Sequence, residues 1–299
     1  SHLTRHLVSL GEQVRVLDDF SSGSAQRLQD LTGRIDLVQG SVHDDDVVRR
    51  CMSNVRFVLH QAAQASVPLS MNDPVGTYQA NTMGTLNVLN AARLSGVQRV
   101  VMASTSAVYG NNPVSPKSER MAPDPISPYA SSKLATESMG QVFTEGYGLP
   151  CVMLRYFNVY GPGQDPNSAY AAAIPKFLAK MARGERPVVF GDGGQTRDFV
   201  YVRDVVRANL LAMSSSEKKK KTYNVASGSA VTILDIVNAI ADHLGIDANP
   251  EFLPARAGDV RDSLADVSRI ANDLGFRAET SLSAGLGETI DSVVMANAA

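Results

Sequence analysis

The sequence predicts an α/β chain: a doubly wound, largely parallel sheet followed by a smaller mixed α/β domain. Three observations carry that expectation. Short apolar runs, Val14–Leu17, Ile35–Gln39, Val55–His60 and Arg99–Ala103, alternate with helix-like stretches through the first half; repeated β-α-β order calls for crossovers that set the strands parallel. The runs are short and mostly apolar, as buried strands are. After about residue 160 the alternation gives way to loops, short strands and isolated helices.

Composition bounds the chain further. Its 299 residues make one large or two smaller domains. With 44% apolar and 19% charged residues it is globular and large enough to bury a core without staples. Cys51 and Cys151 are too few for a disulfide framework or a four-thiolate zinc site, and no metal site is expected. A formal net charge of −2 gives no electrostatic case for nucleic acid. No apolar run approaches the length of about 18 residues that spans a membrane, and Ser1-His2-Leu3-Thr4-Arg5-His6 is not a signal peptide. The expectation is a soluble, cytoplasmic protein.

The elements follow in order. Asp44–Cys51 and Asn81–Leu94 read as helices, the second with an apolar face of Leu86, Val88, Leu89, Ala92 and Leu94. A helix from Pro128 to Tyr147 precedes a strand at Val152–Phe157. Gly161–Tyr170 reads as loop, Ile174–Arg183 as helix, and Val188–Phe190 as a strand ending at Gly191-Asp192-Gly193-Gly194. The charge run Glu217–Lys221 reads as a solvated loop before a strand at Thr222–Val225. Val231–Leu244 is a helix with Thr232 or Ser229 as N-cap. This divides the chain into a first domain over 1–158, a second over 159–299, and parts of 196–228 packed with the first.

A Rossmann-type dinucleotide domain opens with a strand, a glycine-rich turn and a helix, and an acidic strand end follows the turn by about 20 residues. Asp18 is that acidic end, so the first strand and glycine loop fall at or before residue 1. The missing strand belongs mid-sheet, where its absence leaves two neighbours with unpaired backbone groups. The sequence therefore reads as truncated or partly recorded at its start.

The strongest chemical constellation is Thr105 with Tyr129 and Lys133. In Tyr129-Ala130-Ser131-Ser132-Lys133 the phenol and the ammonium are four residues apart, on one helix face. A close cation stabilises a phenolate; lowering a tyrosine by about three pKa units takes roughly 4 kcal/mol, within reach of one ammonium and a cationic cofactor ring. Thr105 follows the Arg99–Ala103 strand, at the carboxyl edge where such sheets bind ligands, and its hydroxyl is placed to hold a substrate oxygen or relay a proton. Asp18 at a strand end accepts both hydroxyls of a ribose, and with Asp19 beside it repels a 2′-phosphate, which predicts NAD over NADP.

Val101-Met102-Ala103-Ser104-Thr105-Ser106-Ala107-Val108-Tyr109-Gly110 and Ser127-Pro128-Tyr129-Ala130-Ser131-Ser132-Lys133 resemble the extended short-chain dehydrogenase/reductases that act on nucleotide sugars. Val16-Leu17-Asp18-Asp19-Phe20 with Ser22 and Gly23, His60-Gln61-Ala62-Ala63-Gln64, Asn81-x-x-Gly84-Thr85, Leu154-Arg155-Tyr156-Phe157-Asn158-Val159-Tyr160-Gly161-Pro162 and Arg197-Asp198-Phe199-Val200-Tyr201 extend the resemblance over nearly the whole chain. It implies a cofactor set of Asp18, Asp19, Ser22, Gly23, Ser41, Val42, Ala62, Ala63, Gln64, Asn81, Ala103, Ser104, Tyr129, Lys133, Tyr156 and Val159. Ser41 stands where the family usually has an adenine-binding Asp. On the substrate side it implies Arg197 and Arg256 on the diphosphate, Asp259 on the uridine ribose, Phe190 against the uracil, and Asn158, Ser66, Thr105, Ser106, Ala172 and Ser263 around the diphosphate-sugar.

The activity implied is a UDP-sugar 4-epimerase: C4 is oxidised, the flat 4-keto sugar turns over, and hydride returns to its other face. The family's 4,6-dehydratases and uronate decarboxylases carry a Glu, often after Asp, where this chain has Ser106 and Ala107, and elimination needs that extra acid or base. Those enzymes, a UDP-glucuronate epimerase, and a non-catalytic NAD-binding protein without a phosphate loop are the alternatives. Small residues at Ser263 and Ala172 leave room for an N-acetyl group, which Ser66 is placed to hydrogen-bond, and Asp165 repels a uronate. The resemblance also implies a homodimer, with Leu86, Val88, Leu89 and the Tyr129 helix as candidate faces.

Overall fold

The predicted elements form, with shifted ends, in a computed structural model that describes residues 1–165, 173–216, 221–255 and 261–298. Among them the chain divides into two compact units. One comprises Ser1–Val108, Pro125–Arg155 and Val206–Tyr223; the other comprises Tyr109–Asp124, Tyr156–Val205 and Asn224–Ala299. No helix of the described residues is long and apolar enough to cross a membrane.

In the first unit the expected single sheet is two. Val14–Asp18 pairs in parallel with Ile35–Gln39, separately from a four-stranded sheet ordered Phe57–His60, Arg99–Thr105, Cys151–Tyr156, Lys221–Val225. The break falls where the sequence pattern calls for one more strand. It also corrects the reading of all early runs as buried: Leu37 is 39% exposed, whereas Val100 and Val101 of the central strand are 0% exposed. The apolar core runs from Val48 and Met52 through Val88, Leu89 and Val97 to Val100, Met102, Phe143, Cys151 and Met153. Two glycines let helices close on it. A Cβ at Gly140 would sit 2.7 Å from Met102 Cε and 2.8 Å from Met153 Sδ, and one at Gly84 would sit 2.6 Å from Val42 Cγ2. A side chain at Gly140 would have to displace both methionines; without one, the Pro128–Tyr147 helix lies close on the strands beneath it.

Burial also corrects the expected self-association face. Val88 and Leu89 are 3% and 0% exposed within the unit's own core, so neither is free to meet a second copy. The apolar residues these two helical segments do expose are Met83, Leu94, Val142 and Tyr147.

In the second unit, Ala230–Thr232, Thr196–Tyr201 and Asp262–Ser263 form a sheet, and Asn158–Tyr160 also pairs with Thr196–Tyr201. Val188–Phe190 pairs in parallel with Glu251–Leu253. Helices Ala173–Met181, Ile233–Leu244 and Leu282–Ala298 contribute to its core, among them Ile174, Phe177, Ile236, Ile240, Leu286 and Ile290. The helix predicted from Val231 begins at Ile233, because Val231 is taken up in a strand. Thr232 then caps the helix in a reciprocal box with Asp235, at 3.0 and 2.9 Å. Of the predicted charge run, residues 217–220 lie outside the described residues.

Candidate active site

The helix that carries Tyr129 starts where the sequence dictates. Ser127 Oγ accepts from Ala130 N at 3.2 Å, and Pro128 supplies the first-turn φ without needing a donor. That start places Tyr129 in the first turn and Lys133 one turn further on. Tyr78, on the short helix Pro74–Tyr78, steadies the same turn through its hydroxyl to Ser131 Oγ at 2.8 Å.

Thr105 ends the Arg99–Thr105 strand, its Oγ1 accepting from Ala107 N at 3.1 Å and hydrogen-bonded to the Tyr129 phenol. Lys133 is buried, and its Nζ donates to the Ala103 carbonyl at 2.9 Å. This departs from the expectation that the ammonium holds the phenolate directly. Burial pushes the Tyr129 phenol up from its ordinary value, which the Thr105 hydrogen bond opposes; burial alone pulls Lys133 down to about 8. Burial therefore favours the protonated phenol, and a cation bound beside it would favour the phenolate.

The Lys133 shift has a measurable consequence. Between about 8 and 10.5 the unfolded chain holds a proton that the folded chain has released, so folding stability rises with pH across that window. The rise is expected to reach on the order of 3 kcal/mol. It should appear as the difference between the parent and Lys133→Met in urea unfolding followed from pH 7.5 to 10.5.

Around this core the predicted cofactor residues take different duties. Asp18 Oδ1 accepts from Phe20 N at 2.8 Å, while Oδ2 lies beside Gly23, 3.9 Å from where a Cβ would stand. Asp19 accepts from Ser21 N at 2.9 Å, and hydrogen bonds to Ser21 hold its carboxyl below the usual range. Ser22 and Gly23 are exposed in the loop that follows. Ser41 Oγ accepts from His43 N at 3.2 Å, and Asn87 Nδ2 reaches the Val42 carbonyl at 3.0 Å. Ala62 and Ala63 are half-buried after the Phe57–His60 strand.

Asn81, fully buried, spends its amide inside the protein: Oδ1 accepts from Gln64 N at 2.8 Å, and Nδ2 donates to Gln64 O at 3.1 Å and Ser132 Oγ at 2.9 Å. It ties the Ala62–Gln64 loop to the Tyr129 helix. Ser104 likewise turns inward, its Oγ donating to Glu137 Oε1 at 2.6 Å. Ser66 caps the Val67–Asn72 helix by accepting from Leu69 N at 3.1 Å, a bond that uses a lone pair and not the hydroxyl proton.

The dinucleotide fit rests on two oxygens. Gln64 Oε1 is buried without a hydrogen-bond partner, and the Asp18 carboxylate is exposed at its strand end; an acceptor in each place suits the hydroxyls of a ribose. Lys133 keeps ammonium protons beyond the one given to Ala103. The residues present thus fit the two ribose ends of NAD. The described residues begin with helix His2–Ser9, and a pyrophosphate-binding glycine loop is not among them.

In the second unit, Ser263 is the strand partner of Arg197. Arg197 Nη1 donates to the Thr196 carbonyl at 2.7 Å. Asn158 Nδ2 donates to the Asp198 carbonyl at 3.0 Å. Phe190, Tyr156 and Val159 are half-buried, with Gln195 Nε2 on the Phe190 carbonyl at 2.7 Å and Gln164 Nε2 on the Val159 carbonyl at 3.1 Å. Ala172, Arg256 and Asp259 lie outside the described residues. Ser106 lies half-buried in the turn Ser106–Tyr109 of the first unit.

Three groups escaped the sequence reading. Asp198 is a fully buried carboxylate accepting from Ser227 N and Oγ, Gly228 N and Ala265 N at 2.7–3.1 Å. It anchors the segment that follows Ser263. His60, buried, contacts Thr85 Oγ1 through Nε2 at 2.9 Å, and burial together with the Lys133 charge pulls it down to about 3, so it is neutral. Glu137 pairs with Arg155, both buried. Asp198, His60 and Arg155 stood in quoted motifs and Glu137 just beyond one, but the partners of a buried polar group are set by tertiary contact and not by its neighbours in sequence.

The NAD dependent epimerase/dehydratase family matches residues 1–226. The chain is 35% identical over 295 residues to the UDP-glucose 4-epimerase of Mycolicibacterium smegmatis, covering 97% of this chain and 94% of that protein. Among solved structures it is similar to a UDP-N-acetylglucosamine 4-epimerase from Methanobrevibacter ruminantium in complex with UDP-N-acetylmuramic acid. That match has a TM-score of 0.95 at 36% identity, covering 99% of this chain and 94% of that one. The UDP-glucose 4-epimerase of Thermotoga maritima with UDP-glucose matches at TM-score 0.94 and 36% identity, over 99% and 95% of the two chains. The chain belongs to the NAD dependent epimerase/dehydratase family, the extended short-chain dehydrogenase/reductases.

Proposed function

We propose that this chain is an NAD-dependent 4-epimerase of UDP-hexoses that also accepts N-acetylated UDP-sugars. The observation that carries the reading is the Thr105–Tyr129–Lys133 set, with Ser106 and Ala107 beside it in place of an acid. Bound tightly, NAD would supply reversible hydride acceptance at C4. Tyr129 takes the proton of the C4 hydroxyl and later returns it. Thr105, hydrogen-bonded to the phenol, orients the sugar oxygen on that proton path. Lys133 holds the turn through Ala103 and offers its remaining protons to the cofactor's ribose. Asp18 accepts at the adenosine ribose. Arg197, with Arg256, grips the diphosphate by planar, permanently charged donors, and Asp259 and Phe190 hold the uridine. Epimerisation asks for one proton acceptor; dehydration and decarboxylation ask for a second acid or base, and neither Ser106 nor Ala107 supplies one.

The deciding experiment is incubation of the protein with UDP-glucose, UDP-N-acetylglucosamine and UDP-glucuronate, each followed by separation of the C4 epimers. Interconversion of the first two supports the reading. Conversion of the glucuronate alone, or loss of water or carbon dioxide, overturns it.

A homodimer is part of the same proposal, through the exposed Met83, Leu94, Val142 and Tyr147. Light scattering at micromolar concentration is expected to give twice the chain mass. Val142→Asp together with Met83→Asp should halve it, since charge at a desolvated contact opposes association. A monomeric parent refutes this part alone.

A further inference from the structure

We propose that Glu137 is a positioning residue that sets where Tyr129 and Lys133 stand over the strand ends, an inference that rests on the reading of those two as the proton-handling pair. Tyr129, Lys133 and Glu137 recur every four residues on the Pro128–Tyr147 helix, so one face carries all three. Glu137 is 3% exposed and reaches two strands at once. Its Oε1 accepts from Ser104 Oγ at 2.6 Å and from Arg155 Nε at 2.8 Å, and its Oε2 accepts from Arg155 Nη2 at 2.7 Å. Ser104 lies between Ala103, whose carbonyl receives Lys133, and Thr105, which meets Tyr129. Arg155 stands at the end of the neighbouring Cys151–Tyr156 strand.

Packing alone does not call for this arrangement. A buried ion pair adds little stability over apolar residues of the same shape. A bidentate guanidinium–carboxylate fork fixes distance and angle together, which an apolar contact does not. Further along this face Met102 and Met153 pack against Gly140, an apolar contact that resists separation better than sliding, and Thr144 Oγ1 accepts a single bond from Cys151 N at 3.0 Å, which lacks the two-point fork. Glu137 therefore supplies the register: it prevents the helix from turning or shifting relative to Ala103 and Thr105. A displacement near 1 Å at such a pair costs about a hundredfold in rate.

The test compares Glu137→Gln and Arg155→Lys with the parent, below the melting temperature of each. Arg155→Lys keeps the charge and loses the fork, and it serves alone should Glu137→Gln not fold. Both are expected to lower kcat by roughly ten- to a hundredfold, with KM for the UDP-sugar within about twofold. In native-state amide exchange, residues 132–137 should lose protection while residues 143–147 keep theirs. A kcat within twofold of the parent, a change in KM alone, or protection lost evenly along the helix overturns the proposal. If the parent interconverts no C4 epimers, the functional reading falls, and the exchange pattern alone decides whether Glu137 holds the register.

Discussion

Tyr129→Phe is expected to lower turnover at least about a hundredfold, with the substrate KM little changed. The ring stays, so the half-buried packing of the first helical turn survives; only the phenolic oxygen, the proposed acceptor of the C4 proton, is removed. Thr105 remains on its strand end, held by Ala107 N at 3.1 Å, but a threonine hydroxyl has no ionisable state near neutral pH and does not replace the phenol. The check is steady-state interconversion of UDP-glucose and UDP-galactose by parent and variant under the same NAD loading. Turnover within a few-fold of the parent would remove Tyr129 from the mechanism. Because burial raises the phenol and lowers Lys133, the parent's rate should also depend on bound cofactor more steeply than binding alone explains.

Ser263→Tyr is expected to abolish turnover of UDP-N-acetylglucosamine and UDP-N-acetylgalactosamine and to spare UDP-galactose. Ser263 is half-buried on the two-residue strand Asp262–Ser263, directly opposite Arg197, the residue assigned to the diphosphate. A side chain there is set by Arg197 on one side and, two residues on, by Ala265 N donating to buried Asp198 at 3.1 Å. So anchored, the strand has little freedom to retreat from a phenol ring, and under the proposed assignment the added bulk falls on the sugar. Equal loss on both substrates would show that another position admits the N-acetyl group. The two substrates measured side by side also control for misfolding, since a damaged protein loses both.

Much of this protein is legible in its sequence, for reasons that are local. Ser127-Pro128 starts a helix because the cap and the fixed φ act on the next three residues, and the structure begins the helix at Pro128. Thr232 caps the Ile233–Leu244 helix for the same reason. Tyr129 and Lys133 share a face because the helical repeat places them there, and Asp18 stands at a strand end because the apolar run stops at it.

What the sequence determined by itself, then, was the order of elements, the family, and the spacing of the proton-handling pair. Tertiary structure decided which polar groups face inward. Asn81 and Ser104 matched cofactor segments, yet both spend their hydrogen bonds on the protein, because a buried amide or hydroxyl without a partner is costly and the nearest partners are strands and helices far along the chain. The same holds for Val88 and Leu89, apolar on a face that either a core or a second copy would accept; the core took them. Glu137 and Arg155 are 18 residues apart, and nothing in either neighbourhood names the other. A helix repeat extends over a few residues, whereas a buried carboxylate is matched to whatever donor the packed strands bring within about 3 Å, and only the folded chain makes that match.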